Sequence, residues 1–194
     1  GEDHISNTQR QILILEALGF PRPEYAHIPL ILAKDRSKLS KRHGAVSENE
    51  FRRMGYVPEA FVNYLAFLGW HPGTDQELFG REELIERFSL DQIQKSGAIF
   101  DEAKLRWFNR EYISRMAHAE FKKYAEEFLS KETTLLLKEK KLFDKVLPLM
   151  KERIQTLGEL TDMDEKGEYA YFVKEPLYGP EKLVPKESTK EAAK

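Results

Sequence analysis

Lys38-Leu39-Ser40-Lys41-Arg42-His43-Gly44-Ala45 sets two lysines and an arginine within five residues, joined by a serine and followed by a glycine. That composition suits a loop carrying positive charge to a polyphosphate. Charge-assisted contacts to phosphate are strong, and a loop can close late on a developing charge. An isolated cluster of this kind reads as a solvated basic turn. Its surroundings decide between the two.

Upstream, Ile5, Ile12, Leu15 and Leu18 stand at helical spacing, and Gly19 occupies the position where helices end. Pro21 and Pro23 break the pattern, and His27 to Leu32 reads as a short buried strand. A helix, a strand and a basic loop are what the end of a nucleotide-binding α/β domain supplies. Asp3 lies just before the helix, where the dipole favours an acid.

Downstream the pattern turns helical. Ser47 and Glu50 fit a capping box, opening a short helix that ends at Gly55. Pro58 suits the first position of an apolar helix carrying Phe61, Leu65 and Leu68, which Gly69 stops before the turn His71-Pro72-Gly73. His71 has no second ligand at metal spacing and reads as structural. Gly80 to Phe88 is amphipathic, Ser89 to Gln92 resembles a second capping box, and Asp101 caps a longer helix with the stripe Leu105, Phe108, Tyr112 and Met116. Trp107 on that helix is expected in the core. Its charges, Lys104, Arg106, Arg110 and Arg115, are either solvated or matched to a nucleic-acid backbone.

Phe121, Tyr124, Ala125, Phe128 and Leu129 keep helical spacing, and Leu135 to Leu157 is helical with Pro148 kinking or restarting it. Residues 118–160 therefore read as helices of a small bundle. Residues 161–168 read as acidic turn, and Tyr169, Tyr171, Phe172 and Tyr178 as an aromatic cluster docked on the bundle. Pro180 to Lys194, rich in Pro, Glu and Lys, shows no apolar stripe.

With 194 residues, one or two domains are expected. The 31 basic and 33 acidic side chains leave a net charge of −2, so any nucleic-acid surface must be a local patch. There is no cysteine, which excludes disulfides and thiolate zinc sites and fits a reducing compartment. No apolar run is long enough to span a bilayer, and Gly1-Glu2-Asp3-His4 has neither a basic start nor an apolar region typical of a secretory leader. A cytoplasmic protein with no membrane contact is expected.

KLSKR resembles the KMSKS signature of class I aminoacyl-tRNA synthetases, and the form KLSKRHGA is similar to bacterial-type glutamyl-tRNA synthetase. Gly1 to Thr8 followed by Gln9-Arg10-Gln11 resembles that family's RGEDHxxNTPRQ segment. Gly55 to Ala60 with Asn63 to Trp70 resembles GYLPEAxxNYLAxLGW, and Ala98 to Asp101 with Lys104-Leu105 and Trp107 to Ile113 resembles AxFDxxKLxWxNxxYI. Four blocks in order cover about two thirds of the chain, which a helical protein with a chance KLSKR would not explain. Nothing reads as the β-barrels of glutaminyl-tRNA synthetase, and the shortened enzyme that glutamylates a tRNA base stops before a helical anticodon domain.

The resemblance implies a mainly α chain in three parts. Residues 1–46 would be the end of a class I nucleotide-binding α/β domain with its KMSKS-type loop, 47–117 a helical stem-contact domain, and 118–194 an incomplete α-helical anticodon-binding bundle. No HIGH-like sequence occurs, so a C-terminal fragment lacking that half, inactive alone, is expected. The implied reaction is ATP-dependent glutamylation of tRNA(Glu) through glutamyl-adenylate, with L-glutamate, ATP and Mg2+ serving the full-length, monomeric enzyme. Lys41 and then Lys38 would act on the ATP phosphates. Ser40, Arg42, Asp3 and Ile31 would complete the ATP site, with no protein-held metal. Arg153 would meet anticodon bases, and Lys104, Arg106 and Arg110 the RNA stem. The alternative is a tRNA-binding module without chemistry of its own.

Overall fold

A computed structural model describes residues 1–44, 47–129 and 134–172. The expectations for Ala45, Ser130, Tyr178 and Pro180 to Lys194 lie outside them.

Helix α1 (Ile5–Ala17) ends at Gly19, whose φ of +71° is the left-handed turn expected there. Strand β1 (Ile31–Leu32) follows the proline-rich link. It covers only the last third of the expected strand, and Ile28 and Ile31 are both exposed. Among the described residues one strand edge and no layer covers it, so the apolar run is not buried. The same holds for α1, which buries only Thr8 and exposes Leu13, Ile14 and Leu18.

The partner of β1 is β2 (Ala98–Ile99), parallel, with Ile31 opposite Ala98 and Leu32 opposite Ile99. Parallel strands need a long crossover. Here it holds α2 (Glu48–Arg53), α3 (Pro58–Phe67) and α4 (Arg81–Arg87). The parallel pair therefore spans the helical insert, joining residues 31–32 to residues 98–99. The Ser47–Glu50 capping box forms as the sequence requires, and Pro58 opens α3. Ser89 accepts from the Asp91 amide but opens only a 3-10 turn, Leu90–Gln92.

Asp101 caps α5 (Glu102–Arg115) by accepting from the amides of Ala103 and Lys104. This helix is the spine of the molecule. Leu105 and Phe108 join Phe51, Tyr56, Tyr64 and Leu68 in one core, while Ile113 enters a second with Val57, Ala60 and the bundle. Tyr112 packs against both, its hydroxyl donating to Asn63 Oδ1 at 2.6 Å.

The bundle comprises α6 (His118–Phe128), α7 (Thr134–Lys138), α8 (Lys140–Arg153) and α9 (Gly158–Glu165). Pro148 sits inside α8, which continues through it, held by buried Phe143, Val146, Leu147 and Met150. The acidic stretch expected as turn is largely helix α9, because Leu160 and Met163 give it a face to bury. Of the aromatic cluster, Tyr169 is buried, whereas Tyr171 is 68% exposed. Trp107 is 39% exposed rather than core, standing edge-on to Phe108.

Candidate nucleotide loop and basic helical face

The basic signature hangs from β1. Leu32 bridges Lys38 in antiparallel fashion and the Leu39 amide donates to the Ile31 carbonyl at 3.0 Å, so residues 33–37 form a tight reversal. Arg36 turns it with φ +64°. Asp35 braces the turn by accepting from the Ser37 amide at 2.9 Å and hydroxyl at 2.7 Å, which hold its carboxyl below the usual carboxylate range.

Beyond Lys38 the chain winds into a 3-10 turn, Lys41–His43, with Ser40 as its cap. His43 closes this turn. Its Nδ1 accepts from the Ser40 amide at 3.1 Å, and Nε2 lies 3.4 Å from Ser37 Oγ and 3.9 Å from Asp35. The KLSKR segment is thus shaped by its own side chains.

Lys38 forms an ion pair with Asp3, 35 residues away. Lys38 holds the Asp3 carboxyl below its ordinary range. The first turn is tied in separately: the Glu2 amide donates to the Ile28 carbonyl, and the Leu30 amide donates to Glu2 Oε1 at 3.0 Å. Asp3, Lys38, Ile31 and Ser40 are therefore gathered on one short structure. Lys41 and Arg42 are exposed on the turn and have no ion-pair partner among the described residues.

The basic residues of α5 differ in their engagement. Lys104 pairs with Glu77 and lies 5.2 Å from the centre of the Trp107 ring. Arg106 is bound to Glu159 and donates to Gln155 Oε1 at 3.0 Å. Arg110 is exposed with no ion pair among the described residues. On the bundle, Arg153 donates to Glu168 at 2.6 Å while more than half its side chain stays exposed. His71 accepts from the Gly73 amide, a structural use.

Sequence reasoning passed over His43, Asn63 and Asn109. Each stands within a quoted block, and a polar side chain between apolar neighbours on a helix is the signal that would have found Asn63 and Asn109. Both are fully buried.

Residues 1–107 match the family tRNA synthetases class I (E and Q), catalytic domain. The expected C-terminal fragment lacking the HIGH-containing half is corrected accordingly, since residues 1–107, over half the chain, match the catalytic domain itself. Glutamate–tRNA ligase of Carboxydothermus hydrogenoformans is 65% identical over 113 residues, covering 58% of this chain and 24% of that protein. That of Desulforudis audaxviator is 42% identical over 193 residues, 97% of this chain and 38% of that protein. A glutamate tRNA ligase structure from Elizabethkingia meningosepticum, in complex with its amino acid, superposes with a TM-score of 0.64 at 31% identity, over 85% of this chain and 36% of that one. The glutamate–tRNA synthetase of Elizabethkingia anophelis gives 0.68 at 29% identity, over 95% and 40%. The chain thus spans two fifths or less of the length of these relatives.

Proposed function

The chain belongs to the tRNA synthetases class I (E and Q) family, and from that premise we propose that it serves a glutamate–tRNA ligase, supplying the phosphate loop and the helices that meet tRNA(Glu). The observation that carries this reading is the Ser40–His43 turn, which presents Lys41 and Arg42, without an ion pair among the described residues, next in the chain to Lys38 and its ion pair with Asp3. Adenylate formation requires stabilisation of charge on a pentacoordinate α-phosphate and a departing pyrophosphate, which cations provide without proton transfer. Lys41 is free to do so at once. Lys38 must leave Asp3, whose carboxylate is then released toward the ribose hydroxyls. Ser40 and His43 shape the turn, and Ile31 fixes it to β1 through its carbonyl.

ATP and L-glutamate are the substrates in this reading, with Mg2+ accompanying the phosphates. Among the described residues no group of three or more His, Cys, Asp or Glu side chains could hold a metal ion. No helix among those residues is long and apolar enough to cross a membrane. The expected cytoplasmic setting and monomeric state belong to the same proposal.

In the three-part division, residues 47–117 meet the RNA stem and the bundle from 118 meets the anticodon. Arg110, exposed on α5 with no ion pair among the described residues, is open to a phosphate, and Arg153 offers a planar guanidinium to an unstacked base once it leaves Glu168. The test is titration of the protein with glutamate tRNA and an unrelated tRNA over a salt series. Preferential binding that weakens steeply with salt is expected, and R153A should reduce the preference. Equal, weak binding of both RNAs would overturn the recognition role.

A further inference from the structure

Three segments distant in sequence meet at one buried side chain. Asn109 on α5 is fully buried and uses both ends of its amide. Oδ1 accepts from the Val57 amide at 2.8 Å, and Nδ2 donates to the Gln155 carbonyl at 2.5 Å. Val57 precedes α3 in the inserted helices, whereas Gln155 lies between α8 and α9 of the bundle.

The backbones cross beside this amide. The Leu157 amide donates to the Gly55 carbonyl at 2.9 Å, and Gly55 has φ +83°. A Cβ on Gly55 would lie 2.1 Å from Gly158 N, and one on Gly158 would lie 2.7 Å from the Met54 carbonyl oxygen. On the outer side Arg106 holds Gln155 and Glu159, and Glu159 Oε2 accepts the Gln155 amide at 2.8 Å.

Apolar contacts alone tolerate small sliding. A buried amide with directional partners on two other segments does not, because any shift strands a donor or acceptor away from water. The crossing therefore fixes an angle as well as a contact. Arg106, read from sequence as an RNA contact, has its guanidinium committed here.

We propose that Asn109 is a positioning residue. With Arg106 and the Gly55–Gly158 crossing, it sets the angle between helices α2–α4 and the bundle, so that one RNA molecule is met by both surfaces together. This rests on the proposed function, in which both surfaces bind the same tRNA. Two surfaces held at matched spacing act as a bivalent binder, and their combined affinity is lost when the spacing wanders.

The test uses N109D, which keeps the acceptor for Val57 but sets an oxygen against the Gln155 carbonyl, and R106Q as a milder change. The chain has no cysteine, so E86C on α4 and K145C on α8 give a clean pair of spin-label sites at exposed positions. Pulsed electron paramagnetic resonance reads the distance between them, with circular dichroism reporting helix content. Unlabelled proteins are titrated with whole glutamate tRNA and with its isolated anticodon stem-loop.

A single narrow distance is expected in the parent and a broadened one in N109D at unchanged helix content. Affinity for whole tRNA should fall by about tenfold, as loss of avidity requires, with stem-loop binding unchanged. An N109D distance as narrow as the parent's overturns the proposal. If N109D loses helix content, R106Q decides: a broadened distance supports the joint and an unchanged one overturns it. The distance needs no RNA. A parent that binds neither RNA overturns the functional reading, and the RNA role of the joint with it, while the joint is still read from the distance.

Discussion

Lys38 and Lys41 stand three residues apart and carry the same charge, yet their surroundings separate them. Lys38 reaches the Asp3 carboxylate, whereas Lys41 projects from a turn held by His43 and has no ion pair among the described residues. A lysine without a partner contributes little to stability and meets an incoming phosphate without first breaking a contact. K41A should therefore leave the melting temperature of this chain nearly unchanged, within the roughly 0.5 kcal/mol usual for surface changes. In a full-length ligase carrying these residues it should slow ATP–pyrophosphate exchange by about a hundredfold or more, the scale of removing one group that meets developing charge. Normal exchange in K41A would remove Lys41 from the proposed chemistry. The resemblance already placed Lys41 before Lys38, and the position of Asp3 adds a physical difference that their charge alone does not show.

At the scale of elements, α5 repays attention because two cores depend on it. Its first turn is held by the Asp101 carboxylate, which accepts from two backbone amides, and by Tyr64, whose hydroxyl donates to the Asp101 carbonyl at 2.9 Å and accepts its amide at 2.7 Å. D101A removes the side-chain cap and leaves the Tyr64 bonds in place. The expected loss is about 1 kcal/mol, read as a lower urea midpoint with an unchanged slope. No change in midpoint would mean that Tyr64 alone holds the turn. Asp101 was legible from sequence because capping is local chemistry. Helix α9 was not, since its acidic residues read as turn and only packing of Leu160 and Met163 against the bundle makes it a helix.

Over the whole molecule, burial of tyrosines links the cores to pH. Burial pushes the hydroxyls of Tyr56 and Tyr64 from their ordinary value of 10.0 up to about 12. The ionised form is disfavoured in the folded chain but free to form in the unfolded one. The contribution of each is complete below pH 10 and is lost as pH rises toward 12. Urea unfolding repeated at rising pH should show the midpoint falling across that window, and Y56F should lessen the fall. A midpoint flat from pH 10 to 12 would show that these hydroxyls titrate normally. Sequence by itself determined the helical pattern, the caps at Ser47 and Asp101, the first position of Pro58, and the signature loop with its lysines, because each depends on neighbours a few residues away. Only the tertiary structure decided that β1 pairs with β2 across a helical insert, that Arg106 faces Glu159, and that Asn109 joins Val57 to Gln155. Those partners lie 46 to 67 residues apart, too far for any local pattern to register. What selects them is the requirement that buried polar groups be paired once α5 has drawn two cores together.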